Sequence, residues 1–511
     1  MVIDNLYTES TEYVRWEGVD STPFQVSQGV KQGSIVSPTL YKMYINDLLL
    51  RLQGSGLGAQ IGSLYLGNPT CADDVTLLTN NIRQVQPMLE IASAYANEHK
   101  YQLHPKKTVI TPLLHPTKGQ SPVDPLKWNI DGQPVSSQDN FTHLGLNWSD
   151  KKGTPDIQVN IQKARRTAFS LLGVGLHGTD GLDPLASHKI LQTYVTPRLL
   201  HGLEAIVPGK DDILQLEIAY RKWLRQIQAL PSNTATEAIY ILLDTIPLEG
   251  QLHQKSLSLF GSICRLPFNH VLRCLAKRQL AMCPGEKNSW FAMIIDLGVR
   301  YNLDIFGNLN CPKPKLQWKR EVKQNIRMHW TAHLHASASE KRSLKWMILD
   351  AHRKIPGIWL ACKGETYLVG ASCVRARMLT GRFQTGTLES LYNKSVTDPT
   401  CRLCQEEKED IWHMLAVCRC LEDAREPHIS RIKKIYQECN QPPPNTTQET
   451  CSALLNGDSY VRGQPTAGVT VVQIPENQER QRLRINKICS QICSNLAKRR
   501  EALLSIVDPA P

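Results

Sequence analysis

The sequence predicts an α+β protein in which a small antiparallel sheet with helices near the N-terminus precedes a long, mostly helical region. Three features of the 511 residues indicate this arrangement. Short apolar or β-branched segments flank Asp73 and Asp74, as in two strands joined by a turn. After residue 150, apolar residues recur at three- and four-residue steps, as in amphipathic helices. A compact set of cysteines with one histidine near residue 410 predicts a small metal-binding module.

The acidic pair lies between Thr70-Cys71-Ala72 and Val75-Thr76-Leu77-Leu78. On a regular strand two adjacent side chains point to opposite faces, whereas at the tip of a hairpin both can turn toward one spot. Carboxylate oxygens bind Mg²⁺, and two such ions can hold the attacking and leaving oxygens of a nucleotidyl transfer. An Asp-Asp step is also common in solvated surface turns, so the pair alone leaves both interpretations open.

Four segments occur in an order that is typical of one enzyme family. The first is a Gly-rich segment, Gly29-Val30-Lys31-Gln32-Gly33-Ser34-Ile35-Val36-Ser37-Pro38, followed by the largely apolar residues 40–48. The second is the segment with the acidic pair, residues 71–74. The third and fourth are Tyr101-Gln102-Leu103-His104-Pro105-Lys106-Lys107-Thr108 and Phe141-Thr142-His143-Leu144-Gly145. Together they resemble the reverse transcriptases of non-LTR (LINE-type) retrotransposons. The family usually has an aromatic residue at the position of Cys71.

The resemblance implies a polymerase palm, a two-metal reaction and a set of site residues. Asp73 and Asp74 would bind Mg²⁺, and Lys107 would lie near the leaving pyrophosphate. Gln32 and Gly33 would line the nucleotide and template pocket. The primer grip would comprise Phe141, His143, Leu144 and Gly145. The implied partners are an RNA template, a DNA primer and a dNTP.

The resemblance also implies a further catalytic aspartate, on a strand well upstream of the Gly-rich segment. Only 28 residues precede Gly29, and the early Asp4 is expected to cap or flank a helix. We therefore expect an N-terminally truncated, partial palm. Because the metals would lose one carboxylate ligand, we predict little or no polymerase activity from this chain alone.

A second candidate site has the pattern Cys401-x2-Cys404-x8-His413-x4-Cys418. Three thiolates and an imidazole can close a tetrahedral Zn²⁺ site with no open position, which is typical of a structural site. Cys420 is an alternative fourth ligand, and four reduced core thiols beside a satisfied histidine are the alternative to a metal site. The 15 cysteines are scattered over a long chain with no visible secretion signal, which favours thiols and metal ligands over disulfides.

The predicted organisation is a palm with its primer grip in 1–150, a helical thumb in 151–250 and a helical connector in 251–395. A zinc-binding module in 396–440, a linker in 441–475 and a basic C-terminal helix in 476–511 follow. In the thumb, Ile157 to Gly173 reads as a basic amphipathic helix. The final helix is predicted over Glu476 to Val507, with Cys489 and Cys493 as small buried residues. Trp290, Trp318 and Trp330 of the connector are expected in the core.

The charge of the chain favours a polyanionic partner. Its formal net charge is +12, and Lys or Arg near phosphates releases counterions on binding. The sequence contains no run of eighteen apolar residues, so no membrane span is predicted. We expect an intracellular protein of the cytoplasm or nucleus. The alternative to an enzyme is a non-catalytic, zinc-containing nucleic-acid-binding protein derived from a retroelement.

Overall fold

The computed structural model describes most of the chain. The described residues are 7–26, 29–31, 33–111, 128–138, 140–149, 156–178, 181–282, 289–349, 357–392, 398–438, 442–457 and 476–507. They form two compact units. The first contains the described residues within 1–142, 148–153 and 269–271, and the second contains those within 143–147, 154–268 and 272–511.

Most short strands belong to the N-terminal part of the chain. They are β1 Thr11–Glu12, β2 Arg15–Trp16, β3 Val19–Asp20, β4 Phe24–Gln25, β5 Gln60–Ile61, β6 Leu64–Tyr65, β7 Thr70–Cys71, β8 Asp74–Val75, β9 Val109–Ile110, β10 Asn129–Ile130, β11 Gln133–Pro134, β12 Ser136–Ser137, β13 Asn140–His143 and β14 Leu146–Ser149. The antiparallel ladders are β1–β4, β2–β3, β5–β6, β7–β8 and β10–β11, while β9–β12 is parallel and β13 pairs with β14. Among the described residues the expected antiparallel sheet therefore takes the form of separate two-stranded ladders.

Two helices form the core of the first unit, α1 Ser37–Gly54 and α2 Val85–Glu98. Pro38 lies in the first turn of α1, where its missing N–H is not needed. Leu48 and Leu52 of α1 are buried with Met88 and Tyr95 of α2. Val75 and Leu77 pack against this cluster, so the strand that follows the acidic pair is anchored to the two helices.

The second unit is built from helices. They are α3 Ile157–Ser170, α4 Pro184–Ile190, α5 Thr196–Leu199, α6 Lys210–Ile227, α7 Thr236–Ile241, α8 Leu248–Cys264, α9 Val271–Met282, α10 Trp290–Arg300, α11 Ile305–Asn310, α12 Lys315–Ser339, α13 Gly357–Leu360, α14 Val369–Leu379, α15 Gly386–Tyr392, α16 Glu422–Glu438, α17 Thr447–Asn456 and α18 Glu476–Val507. The protein is thus a helix-rich α+β protein with small antiparallel sheets.

The helix α3 begins at the predicted residue and ends three residues before the predicted end. Asp156 caps it by accepting a hydrogen bond from the backbone N–H of Gln158. The helix α4, Pro184–Ile190, continues into a π-helical turn over Leu191–Val195. Pro197 follows that turn and lacks the N–H of a regular helix, which explains the wider turn before it.

The C-terminal helix α18 covers Glu476–Val507, as the sequence predicts, and lies in the core of the second unit. It packs against α13, α14, α16 and α17. Cys489 and Cys493 are buried, which confirms their predicted role as small core residues. Trp318 is also fully buried, while Trp290 and Trp330 are partly buried against the same cluster.

The basic character of α18 is less exposed than the sequence suggests. Arg500 is 8% exposed and forms a bidentate ion pair with Glu409, which is 3% exposed. Its Nε donates to Oε1 at 2.6 Å and its Nη2 donates to Oε2 at 2.7 Å. Glu409 also accepts a hydrogen bond from the backbone N–H of Gly386 at 2.6 Å. One buried carboxylate therefore joins α18, the start of α15 and the segment between Cys404 and His413.

The predicted linker over 441–475 is wrong in its first part, because α17 forms there. Thr446 and Glu449 form a capping box at the start of this helix. Leu454 and Leu455 are buried in the same core as α18. The Pro-rich run before Thr446 is typical of a linker, so the sequence pattern does not predict the short helix that follows it. Residues 458–475 lie outside the described residues.

Among the helices of the described residues, none combines the length and the apolar character that crossing a lipid bilayer requires.

We expect Arg500→Met to lower the free energy of unfolding by about 3–5 kcal/mol, because the variant leaves the Glu409 carboxylate buried without its cation. Chemical denaturation followed by circular dichroism measures the change. The matched control is Arg499→Met, since Arg499 is the exposed neighbour and its loss is expected to stay within about 0.5 kcal/mol. Equal effects of the two substitutions would contradict the structural role of the pair.

A buried histidine predicts how stability depends on pH. His253 Nδ1 lies 2.8 Å from the Tyr301 hydroxyl oxygen, and His253 Nε2 lies 3.8 Å from Glu249 Oε1. Burial lowers the pKa of His253 to about 3, and the charges of Arg300 and His329 add to this effect. The unfolded chain binds a proton near pH 6.5 and the folded chain does not, so stability is lost as the pH falls below that value.

We expect His253→Gln to weaken this pH dependence. Between pH 6.5 and pH 5 the wild-type chain should lose about 1.6 kcal/mol more stability than the variant, because the unfolded histidine goes from half to almost fully protonated and each further tenfold rise in proton concentration costs about 1.4 kcal/mol. Urea denaturation at both pH values measures the difference. The exposed His177 offers the control His177→Gln, which should keep the wild-type pH dependence. A wild-type slope retained by His253→Gln would refute the assignment.

Candidate functional site

The acidic pair lies in a hairpin, as predicted, with Asp73 in the turn and Asp74 as the first residue of β8. Cys71 pairs directly with Asp74 across β7 and β8, so Ala72 and Asp73 form the turn between the strands. Ala72 has a φ of 53°, in the left-handed region that a tight hairpin turn requires. Both aspartates are exposed, and neither carboxylate forms an ion pair or hydrogen bond with another described residue. The hairpin therefore presents two available carboxylates to solvent.

Tyr41 on helix α1 lies near this hairpin. Burial raises the pKa of the Tyr41 hydroxyl, and the negative charge of Asp73 raises it further. The helix that follows the Gly-rich segment is thus close enough for its first turns to face the acidic turn. In the sequence nothing marks this residue beyond an aromatic side chain three positions after Pro38.

The Gly-rich segment makes a turn before α1. Gly29 and Gly33 have φ angles of 98° and 87°, which favour glycine. The hydroxyl of Ser37 donates to the carbonyl oxygen of Lys31 at 2.7 Å and closes the turn. A Cβ at Gly33 would meet open space, so a ligand can approach its backbone. Gln32, the other predicted nucleotide-binding residue, lies outside the described residues.

Lys107 lies on an exposed turn before β9. The turn is closed by the backbone N–H of Lys107 and of Thr108, which both donate to the carbonyl oxygen of His104 at 3.0 Å. Lys107 forms no ion pair with Asp73, Asp74 or another described carboxylate. Its ammonium group is therefore available to an external anion.

The predicted primer grip is a hairpin formed by β13 and β14. The rings of Phe141 and Trp148 stack with centroids 6.4 Å apart and planes 14° apart. At the turn, Leu144 and Gly145 have φ angles of 49° and 78°, the positive pair expected of a two-residue turn. His143 is half-buried at the end of β13.

The turn of this hairpin is held from two sides by residues of the second unit. His201 Nε2 donates to the carbonyl oxygen of Leu144 at 3.0 Å, and Lys163 Nζ donates to that of Gly145 at 2.7 Å. Gly202 has a φ of 73°, which favours glycine, and a Cβ there would lie 2.4 Å from the end of the Leu146 side chain. These positioning residues are 18 to 57 residues from the turn, and no local pattern marks them in the sequence.

The four predicted metal ligands come together in a buried cluster. The ligand atoms of Cys401, Cys404, His413 and Cys418 all lie within 4.8 Å of one another. Cys401 Sγ is 3.9 Å from Cys418 Sγ, and Cys404 Sγ is 3.3 Å from His413 Nε2. A tetrahedral Zn²⁺ with bonds of about 2.3 Å to sulfur places its sulfurs about 3.8 Å apart. The donor set and the spacing thus fit a four-coordinate zinc ion.

Cys420 does not belong to the cluster. Its side chain is exposed, and its Sγ lies 3.2 Å from the carbonyl oxygen of Leu403. Of the two candidates for the fourth ligand, the structure brings Cys418 to the site. The hydrogen bond between the two thiol groups lowers the pKa of Cys401 to about 4 and raises that of Cys418.

Neighbouring groups orient the cluster. The carboxylate of Glu407 lies 3.5 Å from His413 Nδ1, on the side of the ring opposite the sulfurs. The backbone N–H of His413 donates to Asp410 Oδ1 at 2.8 Å, and the Arg425 guanidinium donates to the carbonyl oxygen of Cys418. His413 Nδ1 forms no hydrogen bond among the described residues, so Glu407 contributes a nearby negative charge and not a hydrogen bond.

The N-terminal part of the chain matches a known family. Residues 2–148 match the family model described as reverse transcriptase (RNA-dependent DNA polymerase). This range contains the Gly-rich segment, the acidic hairpin, Lys107 and the predicted primer grip.

Curated relatives extend the similarity beyond that range. The Pol polyprotein from the type-1 retrotransposable element R2 of Popillia japonica is 23% identical over 427 residues, which cover 82% of this chain and 62% of that protein. The RNA-directed DNA polymerase from mobile element jockey of Drosophila melanogaster is 22% identical over 246 residues, covering 47% of this chain and 26% of that protein. The Pol polyprotein from the type-1 retrotransposable element R2 of Nasonia vitripennis is 25% identical over 215 residues, which cover 41% of this chain and 20% of that protein.

The chain therefore spans less than two thirds of the length of each of these relatives. The matched segments, the acidic hairpin between two helices and the relatives from R2 and jockey elements lead to one conclusion. In its N-terminal part the chain is similar to the reverse transcriptases of non-LTR retrotransposons.

Proposed function

We propose that the chain acts in RNA-directed DNA synthesis, with Asp73 and Asp74 as ligands of catalytic Mg²⁺. The observation that carries the proposal is the hairpin itself, which presents two exposed carboxylates with no partner among the described residues. Mg²⁺ prefers oxygen ligands and is usually held by one or two carboxylates together with substrate phosphates. When bound, the ions would stabilise the attacking 3′-hydroxyl of the primer and the leaving pyrophosphate.

The other site residues have roles that follow from their chemistry. The exposed ammonium of Lys107 would bind the phosphates of the incoming dNTP or the released pyrophosphate. Gly33, where a Cβ would meet open space, would let the backbone approach the nucleotide and template, with Gln32 beside it. Phe141, His143, Leu144 and Gly145 would hold the primer end, because their hairpin is braced by stacking and by two hydrogen bonds.

The wider assignment is also a proposal. Residues up to 150 would form the palm, 151–250 the thumb and 251–395 the connector, and the chain would act on an RNA template and a DNA primer. Helix α3 exposes Arg165 and Arg166, which fits contact with a nucleic-acid backbone. Such a protein would work in the cytoplasm or the nucleus, where its template and target are found.

The number of carboxylates limits the expected activity. No third carboxylate joins Asp73 and Asp74 in a ligand group within the part of the chain that the structure describes. We therefore propose that efficient synthesis needs a further carboxylate in addition to this pair. Primer extension with Mg²⁺ or Mn²⁺ tests this, and robust templated synthesis by the chain alone would refute it.

We expect Asp73→Asn/Asp74→Asn to weaken Mn²⁺ binding by the full chain at least tenfold, because the neutral amides cannot replace two anionic ligands. Electron paramagnetic resonance of Mn²⁺ with primer, template and a non-reactive dNTP measures the binding. The matched control is Asp211→Asn/Asp212→Asn, an adjacent acidic pair in the first turn of α6, which should bind Mn²⁺ like the wild type. Unchanged binding by the Asp73/Asp74 variant would contradict the site assignment.

The second candidate function is non-catalytic nucleic-acid binding through a zinc-ordered module. The preformed Cys401, Cys404, His413 and Cys418 cluster favours it, because buried ligands at tetrahedral spacing suit a structural Zn²⁺. This function predicts salt-dependent RNA binding that survives Asp73→Ala and is lost when Cys401 and Cys404 are replaced.

We expect the purified chain to contain one Zn²⁺ and to lose it in Cys418→Ser, with a lower melting temperature. Removing one thiolate breaks a closed shell whose binding energy contributes to folding. Metal analysis of the dialysed protein and thermal denaturation measure both effects.

Cys420→Ser is the matched control for this experiment, since it makes the same substitution two residues away at an exposed thiol. It should keep both the zinc and the melting temperature. Loss of zinc in Cys420→Ser with retention in Cys418→Ser would show that the ligand assignment is wrong.

A further inference from the structure

Helix α12 of the connector carries a row of cations on its solvent side. Lys315, Lys319, Arg320 and Lys323 are all exposed, and we name them the α12 basic face. At a rise of 1.5 Å per residue the row extends for about 12 Å along the helix. The neighbouring stripe of α12 is anchored in the core, because Trp318, Val322 and Ile326 are fully buried.

The acids in and around α12 are paired with other cations. Glu321 pairs with Lys313 at 2.6 Å, Asp244 pairs with Arg327, and Glu237 pairs with Lys341 at 3.8 Å. The four cations of the α12 basic face form no ion pair with any carboxylate among the described residues. Their charge is therefore available to a partner outside the chain.

The arrangement costs helix stability. Lys315 and Lys319, and Lys319 and Lys323, are like charges four residues apart, and each such pair destabilises a helix by about 0.2–0.5 kcal/mol. Lys315 is also in the first turn, where the helix dipole is positive and α12 has no acidic residue. Glu321 of α12 pairs with Lys313 outside the helix, so it forms no ion pair with these cations, whereas an anion placed over the row would offset their repulsion.

We propose that the α12 basic face binds the phosphate backbone of the RNA on which the chain acts. This inference rests on the proposed function for the choice of RNA. A row of four cations fits a run of phosphates better than a single small anion. Lysine, three of the four, is a flexible point charge that suits backbone contact without reading of sequence.

A membrane surface is the less suitable partner. A helix that lies on a bilayer inserts an apolar face beneath its basic one. In α12 the apolar face is occupied by the core, where the Trp318 indole N–H also donates to the carbonyl oxygen of Leu257 at 2.8 Å. The exposed apolar residues Leu316 and Met328 are twelve positions apart and form no continuous stripe.

The test is binding of the full chain to a fluorescently labelled single-stranded RNA, measured by anisotropy over a series of KCl concentrations without Mg²⁺ or dNTPs. We expect Lys319→Gln/Lys323→Gln to lower the affinity on the order of tenfold at physiological salt. The slope of log affinity against log salt should become shallower by about 1.4, because each lost contact with a single strand removes about 0.7.

Two controls separate this result from a general charge effect. Lys363→Gln/Lys434→Gln removes the same charge at exposed positions elsewhere and should keep the wild-type affinity. Lys319→Arg/Lys323→Arg keeps the charge and should keep the slope. Circular dichroism and the melting temperature confirm that each variant is folded.

An affinity and slope unchanged in Lys319→Gln/Lys323→Gln would overturn the proposal, as would a loss confined to a DNA strand of the same sequence. Since binding is measured without catalysis, it does not depend on primer extension. RNA binding through α12 in a chain that never shows aspartate-dependent metal binding would count against the polymerase assignment and leave this inference standing.

Discussion

The buried ion pair between Glu409 and Arg500 is the constraint on which the C-terminal part of the structure depends. The carboxylate lies between two pairs of metal-site ligands and is held by α18 and by the start of α15. Two charges taken out of water are stable only when their hydrogen bonds are satisfied, and here both carboxylate oxygens accept. The pair thereby fixes where the long helix meets the segment from Cys401 to Cys418. This segment can hold its four ligand atoms at tetrahedral spacing, even though it contains little regular structure of its own.

The same helix explains why the C-terminal segments form one unit. A 32-residue helix with an apolar stripe needs partners on several sides, and α18 finds them in α13, α14, α16 and α17. Arg375 of α14 shows how tightly these helices are joined. Its guanidinium is fully buried and donates to the carbonyl oxygens of Leu455 and Asn486 at 3.0 and 3.1 Å. A buried charge of this kind requires its acceptors to be in place, so α14, α17 and α18 depend on one another.

Features that depend on local sequence could be predicted, and features that depend on distant contacts could not. The Asp73-Asp74 hairpin, the extent of α18 and the spacing of the Cys/His cluster all follow from patterns within a few residues of each other. The choice of Cys418 over Cys420 needed the fold, because both lie at plausible spacing and only their orientation separates them. The burial of Arg500 and the bracing of Leu144 by His201 join residues 91 and 57 positions apart. A local pattern cannot contain such information. The Pro-rich run before α17 led to the wrong prediction of a linker, because the helix is stabilised by burial against distant parts of the chain.

The two candidate metal sites differ in preorganisation, and the difference follows from the metals they suit. Zn²⁺ in a structural site is enclosed by four protein ligands, so a chain that binds it must bring all four together, as Cys401, Cys404, His413 and Cys418 are. Mg²⁺ dehydrates reluctantly and completes its octahedral shell with waters and substrate phosphates, so its protein ligands are few and open to solvent. The exposed carboxylates of Asp73 and Asp74 meet this requirement for a Mg²⁺ site that substrate phosphates complete. A closed cluster at the acidic hairpin would fit catalysis less well, since it would leave no position for the nucleotide.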